Sequence, residues 1–371
     1  MNALERLREE AIKPLEEANS LSFSAYLDGD VYAAEVEKIF HDEWVFVCQT
    51  PELAAPGDYF AMELAGEPIY VIRGSDGELS AFSNTCRHRG TQLLDEGFGR
   101  VDKYVTCPYH AWAFDLDGEL QAVPYNRLIA VDRAEHKLIQ LHCDVWHGLV
   151  FVHLGDDPQP LAERFAHMAD YFAEFEIDTF DSASSGEPEY WDANWKLVME
   201  NAMESYHLFK VHEPTLEQVS PTRGAYYMAG SSEWSLTGGE LTYGRQALDK
   251  YYVLLSMAPS FVGILTNGSL GWLSAHPAGR GRTMVRSGAI GTKKVTRRSS
   301  GDDQFTRDFF LEDKLICERV QKGMSARKGR GGKLVDMERV VTDFHQFLAT
   351  RLFDLPPTEF FEEPGEAATG S

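Results

Sequence analysis

The sequence predicts an α+β chain of two domains, and three observations lead there. From about Glu43 to Gly155 short apolar strands alternate with tight turns, the rhythm of a small sandwich or barrel. After Asp156-Asp-Pro158 the texture changes to helix, then strands, then two closing helices. A length of 371 residues suits two domains of ordinary size. The expected division is an N-terminal helical arm over 1–40, a β-rich domain over 41–155, a larger α+β domain over 156–355 and a flexible acidic tail over 356–371.

Taken in order, Met1 to Ser20 reads as a charged amphipathic helix. It lacks an apolar run followed by small residues, so it is not expected to be a secretory signal. Pro68–Arg73 and Leu79–Ser83 read as two strands joined at Asp76-Gly77. Asp117-Gly118 marks a second turn, after Ala111–Phe114, and Gly148–His153 is a further strand. Pro160 to Phe175 looks helical, and a helix is expected from Trp195 to about Phe209. Strands follow between about Gly224 and Val295. The stretch between Lys250 and Arg280 has no charged residue, but Pro259 and Asn267-Gly268 make it strands around a turn rather than a bilayer span. Helices at about Gln304–Met324 and Asp336–Phe353 close the fold. The second repeats Met337, Val340, Val341, Phe344, Phe347 and Leu348 at helical spacing, which marks a core face.

A net charge of −23 argues against a nucleic-acid partner, which requires basic patches. It mildly favours neutral or cationic ligands. No membrane span is expected. Five cysteines (Cys48, Cys86, Cys107, Cys143 and Cys317) are too few and odd in number for a disulfide framework, and point to a reducing cytoplasm. One basic run, Lys322, Arg327, Lys328, Arg330 and Lys333, reads as a solvated loop or as a docking patch for an acidic redox partner.

Two constellations carry chemistry. Residues 86–90 read Cys-Arg-His-Arg-Gly and residues 107–110 read Cys-Pro-Tyr-His. Two thiolates and two imidazoles, one of each per loop, can bind zinc or an iron–sulfur pair. The second stretch runs from Asn194-Trp195-Lys196 through Glu204 and His207 to His212. Two histidines five apart lie about 140° apart round a straight helix, so they meet one metal only if the helix bends or ends between them.

Together these motifs resemble the Rieske non-heme iron oxygenases, in particular the α (terminal oxygenase) subunit, and the resemblance runs from about Tyr32 to Leu352. It implies a β-rich Rieske domain, a helix-grip catalytic domain with an antiparallel sheet, and an arm packed on the catalytic domain. It implies that Cys86 and Cys107 hold one iron of a [2Fe–2S] cluster and His88 and His110 the other, neutral imidazoles raising its potential. His207 and His212 would bind a mononuclear Fe(II) in a 2-His-1-carboxylate site that leaves room for O2. The third ligand is expected in the helix containing Glu312, Asp313 and Glu318, and Asp313 is assigned; Asp308 is the competitor, while Glu312 and Glu318 are expected to be solvated or to stand behind the ligands. Glu204 would bridge His207 to His110 of a neighbouring subunit, which implies a homotrimer.

Electrons would come from a separate NAD(P)H-dependent reductase, since this sequence has no flavin or nicotinamide motif. Glutamate at 204 is typical of the branch acting on quaternary ammonium compounds. The expected reaction is therefore hydroxylation of a carnitine-, choline- or betaine-type small molecule with C–N cleavage or N-demethylation. A cation would want an aromatic cage, with Trp191, Tyr206, Phe209, Tyr226, Tyr227, Trp234 and Trp272 as candidates. Ala202 departs from that branch, whose members place an aromatic there. Hydroxylation, dihydroxylation or O-demethylation of an aromatic or alicyclic acid is the alternative. A Rieske electron carrier with an inactive ligand-binding domain, or a zinc-stabilised scaffold, is the reading from another class.

Overall fold

The computed structural model describes residues 1–171, 173–244, 246–293, 304–357 and 361–362. The chain forms two compact units, Phe40–Leu161 and a second composed of Met1–Ile39 with Ala162–Ser371.

The smaller unit is built on a seven-stranded antiparallel sheet. Its strands are β1 (Val45–Gln49), β2 (Asp58–Leu64), β3 (Glu67–Arg73), β4 (Leu79–Ser83), β5 (Gly97–Arg100), β9 (Gln140–Trp146) and β10 (Leu149–His153), in the order β1-β10-β9-β4-β3-β2-β5. A three-stranded sheet of β6 (Val105–Thr106), β7 (Ala113–Phe114) and β8 (Leu120–Ala122) completes it. The β3–β4 hairpin forms where Asp76-Gly77 places it, in the register Ile69↔Ser83 to Arg73↔Leu79. Tyr70, Ile72, Phe82, Val105, Trp112, Phe114 and Leu138 form one core, and Cys86 and Cys107 belong to it.

The larger unit holds a nine-stranded antiparallel sheet. Its strands are β11 (Ser182–Ser185), β12 (Glu189–Trp191), β13 (Tyr226–Gly230), β14 (Trp234–Glu240), β15 (Tyr251–Met257), β16 (Phe261–Thr266), β17 (Ser269–Pro277), β18 (Thr283–Gly291) and β19 (Phe361–Glu362). The order is β11-β18-β17-β16-β15-β14-β13-β19, with β12 also on β18. The Asn267-Gly268 turn joins β16 to β17 as expected. The helices that matter for the site are α1 (Ala3–Ala11), α2 (Trp195–Met203), α3 (Leu208–Val211), α4 (Gln304–Met324) and α5 (Arg339–Phe353). Helix α2 packs across β15, β16 and β17, α5 packs on β13 and β14, and α4 lies beside α2. This is the helix-grip arrangement with an antiparallel sheet that the sequence predicts. No helix among the described residues is long and apolar enough to cross a membrane.

Four expectations change. The N-terminal helix is only Ala3–Ala11, started by an Asn2/Glu5 capping box and stopped before Pro14, whose ring disfavours helical backbone at the preceding residue. The helix expected over 160–175 is broken into single turns at Leu161–Arg164, Ala166–Ala169 and Ala173–Phe175. The helix expected to reach Phe209 stops at Met203. Of the acidic tail, Phe361–Glu362 pair with Ala229 and Gly230, while 358–360 and 363–371 lie outside the described residues, as do 294 and 295 at the end of the expected strand region.

The Asn194-Trp195-Lys196 tripeptide anchors the arm. Asn194 caps α2 by accepting from the Lys196 N–H, and its amide donates to the carbonyls of Tyr26 and Arg280. Trp195 Nε1 donates to Glu35 at 2.9 Å, and Lys196 Nζ meets the other Glu35 oxygen at 2.5 Å, with both charges buried. Helix α4 staples the segment before α2: Glu318 accepts from the Asp192 N–H and Gln321 from the Asn194 N–H.

Candidate metal centres

Cys86 and Cys107 start two loops with one hydrogen-bond pattern. Cys86 N–H donates to the Thr91 carbonyl and Gly90 N–H to the Cys86 carbonyl; Cys107 N–H donates to Trp112 and Ala111 N–H to Cys107. Each loop therefore reverses through a left-handed residue four places after its cysteine, Gly90 (φ 71°) and Ala111 (φ 54°). The reversal sends the thiols inward and the imidazoles outward. Both cysteines are buried, and His88 and His110 are exposed with ring centroids 4.8 Å apart. His88 also stacks on Trp112 at 4.8 Å.

Burial pushes the Cys86 thiol up, against the backbone N–H groups of His88 and Arg89. Burial pushes Cys107 up too, but the N–H groups of Tyr109 and His110 outweigh it and hold the thiol below its usual range. Four N–H groups converging on two sulfurs make a nest for an anionic cluster. This donor set fits two irons: buried sulfurs in contact with each other on one side, exposed imidazoles on the other, and all five cysteines free.

The second site forms where α2 stops. Glu204 is extended (φ −115°, ψ 160°), and its Oε2 accepts from the N–H groups of Tyr206 and His207. The glutamate thus ends one helix and fixes the turn that leads into the next. His207 and His212 flank the single turn of α3, so the 140° problem of a straight helix does not arise.

His207 Nδ1–H donates to Glu204 Oε1 at 2.6 Å, and His212 Nδ1–H donates to Glu312 Oε2 at 2.8 Å. A carboxylate only accepts, so both Nε2 lone pairs are left for a metal. They lie 3.5 Å and 3.0 Å from Asp313 Oδ1. One ligand atom from each of His207, His212 and Asp313 lies within 4.8 Å of the others. Without a cation the triad attracts protons. Burial disfavours charge on His207, but Asp313 and Glu204 outweigh it and push the imidazole up to about 10; Asp313 and Glu312 likewise raise His212 against burial, and the two histidines hold Asp313 low although burial pushes it up. The set fits a divalent cation in a three-ligand site with open positions.

The sequence competitors fall away. Asp308 interacts with Gln304. Glu312 stands behind His212 and also accepts from the Thr215 hydroxyl at 2.6 Å. Of the cage candidates, the Tyr227 ring faces the Arg339 guanidinium at 4.6 Å and the Trp272 ring faces Arg286 at 5.8 Å. Trp191 and Trp234 are buried. Tyr206 and Phe209 pair beside His207. Sequence reading missed Phe305, Phe309 and Phe310; Phe309 meets His212 edge-on at 6.2 Å. The available signal was position: Phe309 precedes Asp313 by one helical turn. It also missed Asn201 and Cys317, whose contacts with Asp313 and with each other span more than a hundred residues.

A sulfur-and-imidazole loop pair in one unit and a two-histidine, one-carboxylate cluster in the other define a two-centre iron oxygenase subunit. Residues 43–132 match the family model of the Rieske [2Fe-2S] domain, and residues 170–353 match that of the ring hydroxylating alpha subunit catalytic domain. This chain belongs to the Rieske oxygenases, as an α subunit with a [2Fe–2S] cluster and a mononuclear iron that works with O2.

The glycine betaine monooxygenase oxygenase subunit of Chromohalobacter salexigens is 37% identical over 54% of this chain, and the match spans 45% of that protein, about half its length. The carnitine monooxygenase oxygenase subunit of Acinetobacter baumannii is 27% identical over 91% of this chain and 95% of its own. A solved quaternary ammonium Rieske monooxygenase, described by its carnitine oxidation and inter-subunit electron transfer, shares the fold with a TM-score of 0.81 at 24% identity, over 93% of this chain and 97% of its own.

Proposed function

We propose that the chain hydroxylates a quaternary ammonium or betaine-type small molecule, receiving electrons from a separate NAD(P)H-dependent reductase. The carrying observation is the convergence of His207 Nε2, His212 Nε2 and Asp313 Oδ1 with Glu204 behind His207. Cys86, His88, Cys107 and His110 would hold the cluster, and His207, His212 and Asp313 the ferrous ion. The iron supplies the activation of O2. The protein's own residues do the rest. Glu204 and Glu312 fix both imidazoles as Nε2 ligands, and the glutamate carboxylate remains available to a neighbouring subunit's histidine. Exposed His88 and His110 suit electron exchange with a second protein surface.

In the proposed reaction one oxygen atom of O2 enters an N-methyl or adjacent C–H bond. The other leaves as water with two electrons from the reductase and two protons. The hemiaminal formed collapses, breaking C–N and releasing an aldehyde. Glu204 in place of aspartate, the relatives above and the overall acidity support a cationic substrate.

Small Ala202, where the quaternary ammonium branch carries an aromatic, favours a second reading, an aromatic or alicyclic acid. Oxygen uptake with a panel of betaines, carnitines and aromatic acids separates the two. The quaternary ammonium reading expects O2 consumption matched by aldehyde release for an N-methylated cation. Coupled turnover of aromatic acids alone, with no uptake on any cation, overturns it.

A further inference from the structure

Helix α4 brings a second side chain to the metal centre one turn after Asp313. Cys317 is 2% exposed, and its Sγ lies 2.9 Å from Asn201 Oδ1 and 3.8 Å from the Leu197 carbonyl. A thiol has one proton, and the nearer acceptor is the amide oxygen. On its other side the same amide presents Nδ2 to Asp313 Oδ1 at 3.1 Å and to His207 Nε2 at 3.2 Å.

The direction of this amide follows from chemistry. A carboxylate only accepts, so the NH2 end must face Asp313. Turned over, the amide would place its oxygen against the Asp313 carboxylate and its NH2 group, which cannot accept, against the thiol, leaving the S–H only the Leu197 carbonyl at 3.8 Å. The Cys317 S–H secures the correct end from behind.

We propose that Cys317 and Asn201 form a positioning relay that holds the Asp313 carboxylate oxygen in place for the mononuclear ferrous ion. The thiol orients the amide, and the amide orients the ligand. Partners standing behind metal ligands govern affinity by about 10–100-fold, and this relay belongs with Glu204 and Glu312 in that role. The inference rests on the reading of His207, His212 and Asp313 as the metal site.

The test uses the full chain, with its cluster, stripped of mononuclear iron and titrated with ferrous ion and with Co(II). In C317A the relay expects about a tenfold loss of ferrous affinity and a changed Co(II) visible spectrum, with the cluster bands unaltered. C317S keeps a donor and restores both. N201A loses as much as C317A, and the double variant loses no more than either, because one interaction has been removed twice. Affinity in C317A within twofold of wild type, or losses in the two single variants that simply add, overturns the relay. If C317A folds poorly, the comparison of C317S with wild type decides: a lowered affinity and altered Co(II) spectrum despite the retained donor also overturn it. A wild-type chain that takes up no ferrous ion overturns the triad and the relay together; normal wild-type uptake with an indifferent C317A removes the relay alone.

Discussion

At residue scale the two cluster loops show what the local backbone costs. Both turn through a left-handed residue, but one uses Gly90 and the other Ala111. A β-carbon in that conformation costs on the order of 1–2 kcal/mol. Ala111→Gly removes the strain, while the freer unfolded chain gives part of it back. The expected net gain is about 1 kcal/mol, read as a higher midpoint for thermal bleaching of the cluster's visible band; a lowered midpoint would contradict the strain argument. The pairing also shows what was legible in residues. The four residues proposed as cluster ligands were legible as two Cys–His loops, because each loop is closed by its own short hydrogen bonds, and the family resemblance supplied their roles. His207 and His212 were legible as a pair only through the family resemblance, since their spacing on an unbroken helix would hold them apart. Asn201, Cys317 and Glu312 acquire their roles only when α4 meets the 201–212 segment, a contact that no local spacing encodes.

At the scale of elements, strands and long helices followed apolar periodicity, and α4 and α5 lie where the sequence places them. The break after Met203 did not, because propensity favours continuing through Ala202, Met203 and Glu204. The glutamate's interactions with the N–H groups of Tyr206 and His207 stop the helix, and they exist only once that turn has formed. Helix α5 carries a testable consequence. Asp343 is buried on its sheet-facing side, and burial pushes its carboxyl up to about 7, against the Tyr227 hydroxyl and the Arg339 charge. Glu233, the other acid beside it, is held ionised by Arg164 and Arg351. An unfolded aspartate titrates near 4, so between about pH 4 and 7 the folded chain keeps a proton that the unfolded chain has released. Stability from this group is therefore greatest at the acid end, falls as pH rises through that window, and is level above it. Asp343→Asn should raise the urea midpoint at pH 8, by up to about 4 kcal/mol in stability, and much less at pH 5. An equal effect at both pH values would show that the carboxyl is not shifted.

For the whole molecule the two centres belong to separate compact units of one chain, and Glu204 is the link through which the proposed assembly would join them. The carboxylate already holds the His207 ring and backbone N–H within its own chain, so its remaining capacity would suit one further donor, the exposed His110 of a neighbouring copy. A head-to-tail ring then gives each mononuclear iron a cluster from the next subunit. This can be tested by complementation. Cys86→Ser removes a cluster ligand and leaves the triad; His207→Ala removes an iron ligand and leaves the cluster. Alone, each variant should be inactive. Co-expressed in equal amounts and mixed at random, half of the chains keep the triad, and half of those adjoin a chain that keeps its cluster, so about one quarter of wild-type activity should return. That fraction does not depend on how many subunits close the ring, so the result judges the electron route without presupposing the trimer. If electrons instead pass from cluster to iron within one chain, no co-expressed chain has both centres. The mixture then stays as inactive as its components.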